Sequence, residues 1–201
     1  VKSAMASLFT ARAISYRVDK GFDHFQVALS VGIERMVRSD KGCSGVMFTL
    51  DTESGFPDIV IINGAWGLGE MIVQGEVTPD EFMVSKKALR SAPNPVIFKR
   101  LGTKTKKMIY GSGRGKAVKQ TKIISTPAKE QQTFVITDEE TKKLAIWGAL
   151  IEEHYTTRNK KWTPMDTEWA KDGTTGELFI VQARPETIHA GRDFLCRWPC
   201  P

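Results

Sequence analysis

Short apolar and β-branched runs, bounded almost everywhere by turn formers, dominate this chain and leave little room for helical crossovers. Such runs occupy residues 44–50, 59–62, 82–86, 96–100, 107–110 and 118–124. Ser39-Asp-Lys-Gly42, Pro93-Asn-Pro95 and Gly111-Ser-Gly113 punctuate them. Glycine and proline preset turn backbone angles, and Asn, Asp and Ser close turns through their own side chains. Residues 25–37, mostly apolar around Gly32, read as one further buried strand.

Helical patterns are fewer. Residues 2–18 place Leu8, Ala11 and Ser15 on one stripe and stop at Lys20-Gly21. Residues 70–74 follow a glycine-rich stretch. Thr137-Asp-Glu-Glu140 has the capping-box pattern, in which a hydroxyl and a carboxylate satisfy free amides at a helix start. It opens a helix through Tyr155, with Leu144, Trp147 and Ile151 facing a core. The sum is an α+β chain with mixed or antiparallel sheets and flanking helices, not regular βαβ alternation.

The last two strand-like runs, residues 164–171 and 177–184, flank the turn Asp172-Gly-Thr-Thr-Gly176. Asp166 and Glu168 fall on one side of the first strand; Gln182 and Arg184 fall on one side of the second. A register that brings those sides together sets carboxylate and amide oxygens beside a guanidinium. Hard oxygens suit Mg²⁺ and a guanidinium fork suits phosphate. Alternating polar residues also mark a plain solvated face.

The chain has 201 residues, 41% of them hydrophobic, enough for a real core. No run approaches the roughly 18 apolar residues of a membrane span. The start, Val1-Lys-Ser-Ala-Met5, lacks signal-peptide anatomy and reads as an internal beginning. Cys43, Cys196 and Cys200 form no disulfide framework, so a reduced, cytoplasmic setting is expected. The net charge of +6 comes from residues 99–122, which carry nine Lys/Arg and no acid. A basic nucleic-acid-binding module is one reading of that ribbon, although Tyr110 is its single aromatic.

Other motifs are weaker. The stretch around Gly115-Lys116 fails as a Walker loop, because Tyr110 and Ala117 stand where Gly and Ser/Thr are needed. Gly64-Ala-Trp-Gly-Leu-Gly-Glu70 reads either as an anion- or ribose-lining loop or as a close-packed strand–helix turn. Glu34-Arg-Met-Val37 offers a strand-end backbone to an adenine, with Met36 against its face, or is an ordinary strand end. His24, His154 and His189 have no partner at a telling spacing.

Several ordered motifs resemble the phosphoenolpyruvate synthase (pyruvate, water dikinase) family. They include Leu8-Phe-Thr-Ala-Arg-Ala-Ile-Ser-Tyr-Arg17, Arg35-Met-Val-Arg-Ser-Asp40, Ser44-Gly-Val-Met-Phe-Thr49, Gly67-Leu-Gly-Glu70, Pro79-Asp-Glu-Phe82 and Val181-Gln-Ala-Arg-Pro-Glu-Thr187. Related dikinases and rifampin phosphotransferase share the domain more loosely. The resemblance implies the C-terminal part of an ATP-grasp-like domain over residues 1–188; residues 189–201 resemble nothing in the family and read as an atypical, non-native tail. It implies ATP and Mg²⁺ as cofactors, Glu168 and Gln182 as metal ligands, and Arg184 as the catalytic phosphate contact. Asp166 would support the metal shell. The backbone of Arg35, Met36 and Val37, beside Glu34, would hold adenine, and Thr49 and Glu70 would line the cleft. In that family the phosphoryl group passes from ATP to a histidine on a swivelling domain and then to pyruvate on a barrel. Those partners, and the lobe that clamps phosphates, are not in this sequence, so the chain alone is expected to be catalytically incomplete. The extra length of Thr156-Thr-Arg-Asn-Lys-Lys-Trp-Thr163 leaves the placement of Glu168 to be tested.

Overall fold

The computed structural model describes residues 1–111 and 121–189. The chain forms two compact units, Val1–Met36 and the remainder from Val37. The turn at Gly111-Ser-Gly113, the start of the run at 118–124 and nearly all of the tail at 189–201 fall outside the described residues.

In the first unit the single helix read over 2–18 is two helices, α1 (Lys2–Ala6) and α2 (Ala11–Lys20). Thr10 makes the break. Its backbone is extended, and its hydroxyl donates to the Ser7 carbonyl at 3.0 Å and accepts from the Ala13 N–H at 3.4 Å. Serine and threonine cap helices better than they continue them. Gly21 ends α2 at φ 69°, the left-handed stop that glycine supplies without a Cβ penalty. Arg17 is buried; its Nη2 donates to the Leu8 carbonyl at 2.6 Å and its Nε to His24 Nδ1 at 2.9 Å. His24 is thus a structural acceptor.

Residues 25–37 do not form the expected strand. They carry no regular structure, and Phe25 and Ile33 are 89% and 85% exposed. An apolar run becomes a strand only where a neighbour takes up its amides, and no described strand pairs with it.

The second unit is built on a six-stranded sheet. Its strands are β1 (Cys43–Phe48), β2 (Ile59–Trp66), β3 (Asp80–Ser85), β4 (Val96–Arg100), β7 (Met165–Lys171) and β8 (Leu178–Pro185). They run in the order β4-β3-β2-β1-β7-β8, and every neighbouring pair is antiparallel. A separate hairpin, β5 (Lys106–Tyr110) and β6 (Thr121–Ser125), completes the strands. Glycine-rich residues 64–66 belong to β2, so the loop itself is only Gly67 to Gly69, ahead of α3 (Glu70–Val73).

One face of the large sheet is the core. Met47, Val60, Ile62, Phe82, Val84 and Trp169 pack there with Leu144 and Ala145 of α5 (Asp138–Asn159). The capping box forms as read: Thr137 Oγ1 accepts from the Glu140 N–H, and Glu140 Oε2 accepts from the Thr137 N–H. Gly148 lets the helix lie close to the sheet, since a Cβ there would meet Met47 Cε at 3.0 Å. α5 runs one turn past Tyr155, to a left-handed cap at Lys160. Thr163 then donates its N–H to Thr156 Oγ1, and Trp162 donates to Glu152. Residues 156–163 thus belong to the end of the helix, its cap and a short hydrogen-bonded link into β7.

Within this unit, the described residues roof the opposite face at one end. Ala65, Met71, Val77 and Met108 form a second small cluster there, and Ser44 Oγ donates to the Gly67 carbonyl. Gly67 sits at φ 86°, and a Cβ would lie 2.4 Å from the Met108 carbonyl oxygen, so only glycine fits.

The turn joining β7 to β8 is held by Asp172. Its Oδ1 accepts from the N–H groups of Thr174 and Thr175 at 2.7 and 3.1 Å, and its Oδ2 from the Arg38 N–H at 3.2 Å. These bonds, the Thr174 N–H first, hold its carboxyl below the ordinary 3.8. A depressed folded pKa contributes stability above the unfolded value and loses it as pH falls through the folded value. Comparing unfolding of the natural chain with Asp172→Asn across pH should therefore show a constant difference above about pH 5 that shrinks below about pH 4. A difference independent of pH down to full protonation would refute this role.

Candidate functional site

Beyond the roofed end, the side chains of the second face are half-buried or exposed apart from Ile61, and the strand registers decide which of them share this open face. Glu168 is opposite Gln182, and Asp166 is opposite Arg184. The alternation read from sequence is thus brought into register, and a bulge in β8 leaves Val181 unpaired and brings Ile180 opposite Trp169 on the core face. Across β1 and β2 the row continues through Val46 and Asn63 to Glu81 and Arg100. A parallel row runs from Arg184 and Asp166 through Phe48, Ile61 and Met83 to Phe98.

Arg184 is anchored. Its Nε and Nη2 reach Asp166 Oδ2 at 2.8 and 2.7 Å, while its own side chain stays 65% exposed. The hydrogen bond to Asp166 raises its pKa further, with Glu168 adding a smaller attraction. The fork is therefore held in place with open donors towards solvent. Asp166 serves here as the residue that orients Arg184.

Glu168 is half-buried and Gln182 exposed, and among the described residues neither side chain accepts or donates a hydrogen bond. A carboxylate and an amide carbonyl facing one another with free lone pairs are hard oxygen donors, a set that fits Mg²⁺ completed by phosphate and water oxygens.

Other residues expected at a nucleotide cleft are placed differently. Thr49 is fully buried on the α5 side of the sheet, and its hydroxyl accepts from the Met165 N–H at 2.8 Å. It joins β1 to β7 and presents nothing to the open face. Its phase with Met47 explains this, because side chains two apart share a face. Glu70 is exposed at the start of α3 and accepts from Gln74 Nε2 at 2.9 Å. Glu34, Arg35 and Met36 belong to the first unit and are exposed, and Val37 begins the second. Gly64 lines no pocket: a Cβ there would press on Trp169 and Val135. The packing reading fits that part of the glycine stretch.

Four of the six described cations of the basic ribbon are ion-paired. Lys99 pairs with Asp138, Arg100 with Glu81, Lys104 with Asp80 and Lys107 with Glu130. Cys43 is buried, its Sγ donating to the Val135 carbonyl, and burial pushes its thiol up to about 12. Such a thiol is not a nucleophile at neutral pH.

One polar feature escaped the sequence reading. Asp80 and Lys104 form a fully buried ion pair. Asp80 also accepts from the N–H groups of Gly102 and Val135, at 2.8 and 2.9 Å, and Lys104 donates to the Gly102 carbonyl. The signal was present, since Asp80 is in phase with Phe82 and Val84 on the core face.

The open face sets a carboxylate, an amide and an anchored guanidinium side by side, and the comparisons give the class of the chain. The chain belongs to the pyruvate phosphate dikinase, AMP/ATP-binding domain family, whose model matches residues 1–193. Among named relatives, it is 57% identical over 190 residues to phosphoenolpyruvate synthase of Aquifex aeolicus, covering 94% of this chain and 22% of that protein. It is 52% identical to phosphoenolpyruvate synthase of Escherichia coli, covering 94% and 23%. It is 42% identical to a probable phosphoenolpyruvate synthase of Pyrococcus horikoshii, covering 93% and 21%. The chain thus spans about a fifth of the length of the curated relatives it matches. Among the described residues no helix is long and apolar enough to cross a membrane.

Proposed function

We propose that this chain provides the ATP- and Mg²⁺-binding surface of a phosphoenolpyruvate synthase, in an ATP-grasp-like domain of a cytoplasmic enzyme. The observation that carries the reading is the register of β7 and β8, which sets Glu168 against Gln182 and Asp166 against Arg184 on one open face. Glu168 and Gln182 would hold the metal, which supplies charge neutralisation and alignment of the phosphates. Arg184, kept in place by Asp166, meets the phosphoryl oxygens where negative charge builds up. Phosphoryl transfer depends on such positioning and electrostatics more than on covalent chemistry. The backbone at Arg35 to Val37, beside Glu34, would receive adenine, and Glu70 would border the nucleotide. The acceptors, a histidine domain and a pyruvate-binding barrel, would lie elsewhere in the enzyme, whose overall reaction converts ATP, pyruvate and water to phosphoenolpyruvate, AMP and phosphate. The names of the relatives favour a synthase over other dikinases or a rifampin-type phosphotransferase. The ion-paired lysines and arginines favour it over a nucleic-acid-binding module.

Thermal unfolding with nucleotide tests this. A ligand at a hundred times its Kd stabilises the folded state by about 2.7 kcal/mol. Mg·ATP should raise the melting temperature of the chain, and chelating the metal or introducing Glu168→Gln should remove the rise. A chain whose melting ignores Mg·ATP, or a Glu168→Gln variant protected as well as the natural chain, would sink the assignment.

A further inference from the structure

Asn63 interrupts the most apolar strand of the sheet. Residues 59–62 are Ile-Val-Ile-Ile, and β2 is central, flanked by β1 and β3. Asn63 is half-buried, and among the described residues nothing hydrogen-bonds its amide. Its amide atoms are not among the buried ones left without a partner, so the amide reaches the surface of the sheet with its donors and acceptor uncommitted. Its place in the row gives it a use. Glu168, Val46 and Asn63 are directly opposite one another on adjacent strands, so Asn63 is two strand spacings, about 10 Å, from Glu168. Val46 between them is a small, half-exposed apolar floor. Beyond Asn63 the Glu81 carboxylate is already taken by Arg100 at 2.6 Å. Counting outward from the metal ligands, the first uncommitted polar group across the sheet is therefore the Asn63 amide.

We propose that Asn63 is a nucleotide-binding residue that hydrogen-bonds the ribose hydroxyls of the ATP whose phosphates are held at Glu168, Gln182 and Arg184. This rests on the nucleotide reading above and adds to it a direction: the nucleoside lies across β1 over Val46, away from the β8 edge. A primary amide both donates and accepts, as a vicinal diol requires, and a neutral group suits a sugar better than a second charge. A site built to pair with hydroxyls discriminates against analogues lacking them, because its own polar group is then left unpaired.

The test measures binding of Mg·ATP, Mg·2′-deoxy-ATP and Mg·tripolyphosphate to the full chain by calorimetry, in the natural sequence, Asn63→Val, Asn63→Ala and Glu168→Gln. Valine keeps strand propensity, and alanine serves should valine perturb folding. Asn63→Val should weaken Mg·ATP about tenfold, erase the preference for ATP over 2′-deoxy-ATP, and leave Mg·tripolyphosphate unchanged. Glu168→Gln should weaken all three. Unchanged ATP affinity in both Asn63 variants, with Glu168→Gln still defective, overturns the role of Asn63 and leaves the nucleotide site in place. A loss of tripolyphosphate affinity equal to the loss of ATP also overturns it, by placing the amide on phosphate. Indifference of every ligand to Glu168→Gln overturns the site and the inference together.

Discussion

Lys104→Met should lower the unfolding free energy by about 3–5 kcal/mol, the usual consequence of removing one partner of a buried ion pair. Both side chains of the Lys104–Asp80 pair are wholly inaccessible to water, so neither charge finds solvent as a substitute. Lys104 also holds an unfavourable backbone, at φ 42°, which the pair and the N–H bond to the Thr78 carbonyl sustain. Asp80→Leu should be worse than Lys104→Met. It strands an ammonium and also orphans the Gly102 and Val135 amides that the carboxylate accepts from, whereas Lys104→Met leaves Asp80 with both amide donors. The order matters more than the sizes, because a general loss of packing would not produce it. Urea unfolding of the two variants decides the matter: Lys104→Met within about 1 kcal/mol of the natural chain would show that the pair is not holding the loop at 101–105 to β3.

Functionally, that buried cluster stands directly behind the open face. Asp80 points into the core from the same strand whose next residue, Glu81, belongs to the polar row. The proposed nucleotide face would thus be stiffened from below by a second set of charges, which solvent does not reach.

What could be read without coordinates depended on whether the signal was local. The capping box at Thr137 and Glu140 and the stop at Gly21 are single-turn geometries, and both occur as read. The hairpin's two faces followed from the period of a strand, but its register did not, because the bulge at Val181 shifts half of it. Phase with Met47 and with Phe82 gives the side of the sheet for Thr49 and Asp80, whereas the motif that carries Thr49 says nothing about which face it takes. Residues 25–37 failed for a different reason: hydrophobicity states a need for burial, not the presence of a partner. Gly64 shows the same limit, since a glycine needed for a ring packed over it looks in sequence like a glycine needed for a ligand.

That ring makes the second large prediction. Trp169 lies across the backbone of β1 and β2, and Gly45 and Gly64, opposite one another, leave it room. A Cβ on Gly45 would fall 1.8 Å from the Asn63 carbonyl oxygen and 2.7 Å from the indole. The first contact is backbone and has nowhere to go. A Cβ on Gly64 would meet only side chains, Val135 Cγ2 at 2.7 Å and the indole at 2.9 Å. Gly45→Ala should therefore cost about 3 kcal/mol or more, and Gly64→Ala about 1–3 kcal/mol. The two should also couple differently to the ring. In a Trp169→Ala background, itself costing about 3–5 kcal/mol, the penalty of Gly64→Ala should shrink and that of Gly45→Ala should persist. Equal penalties, or a Gly45→Ala protein as stable as the natural one, would mean that the strands separate easily at this point. The floor beneath Val46 and Asn63 would then be softer than a nucleotide-positioning surface requires.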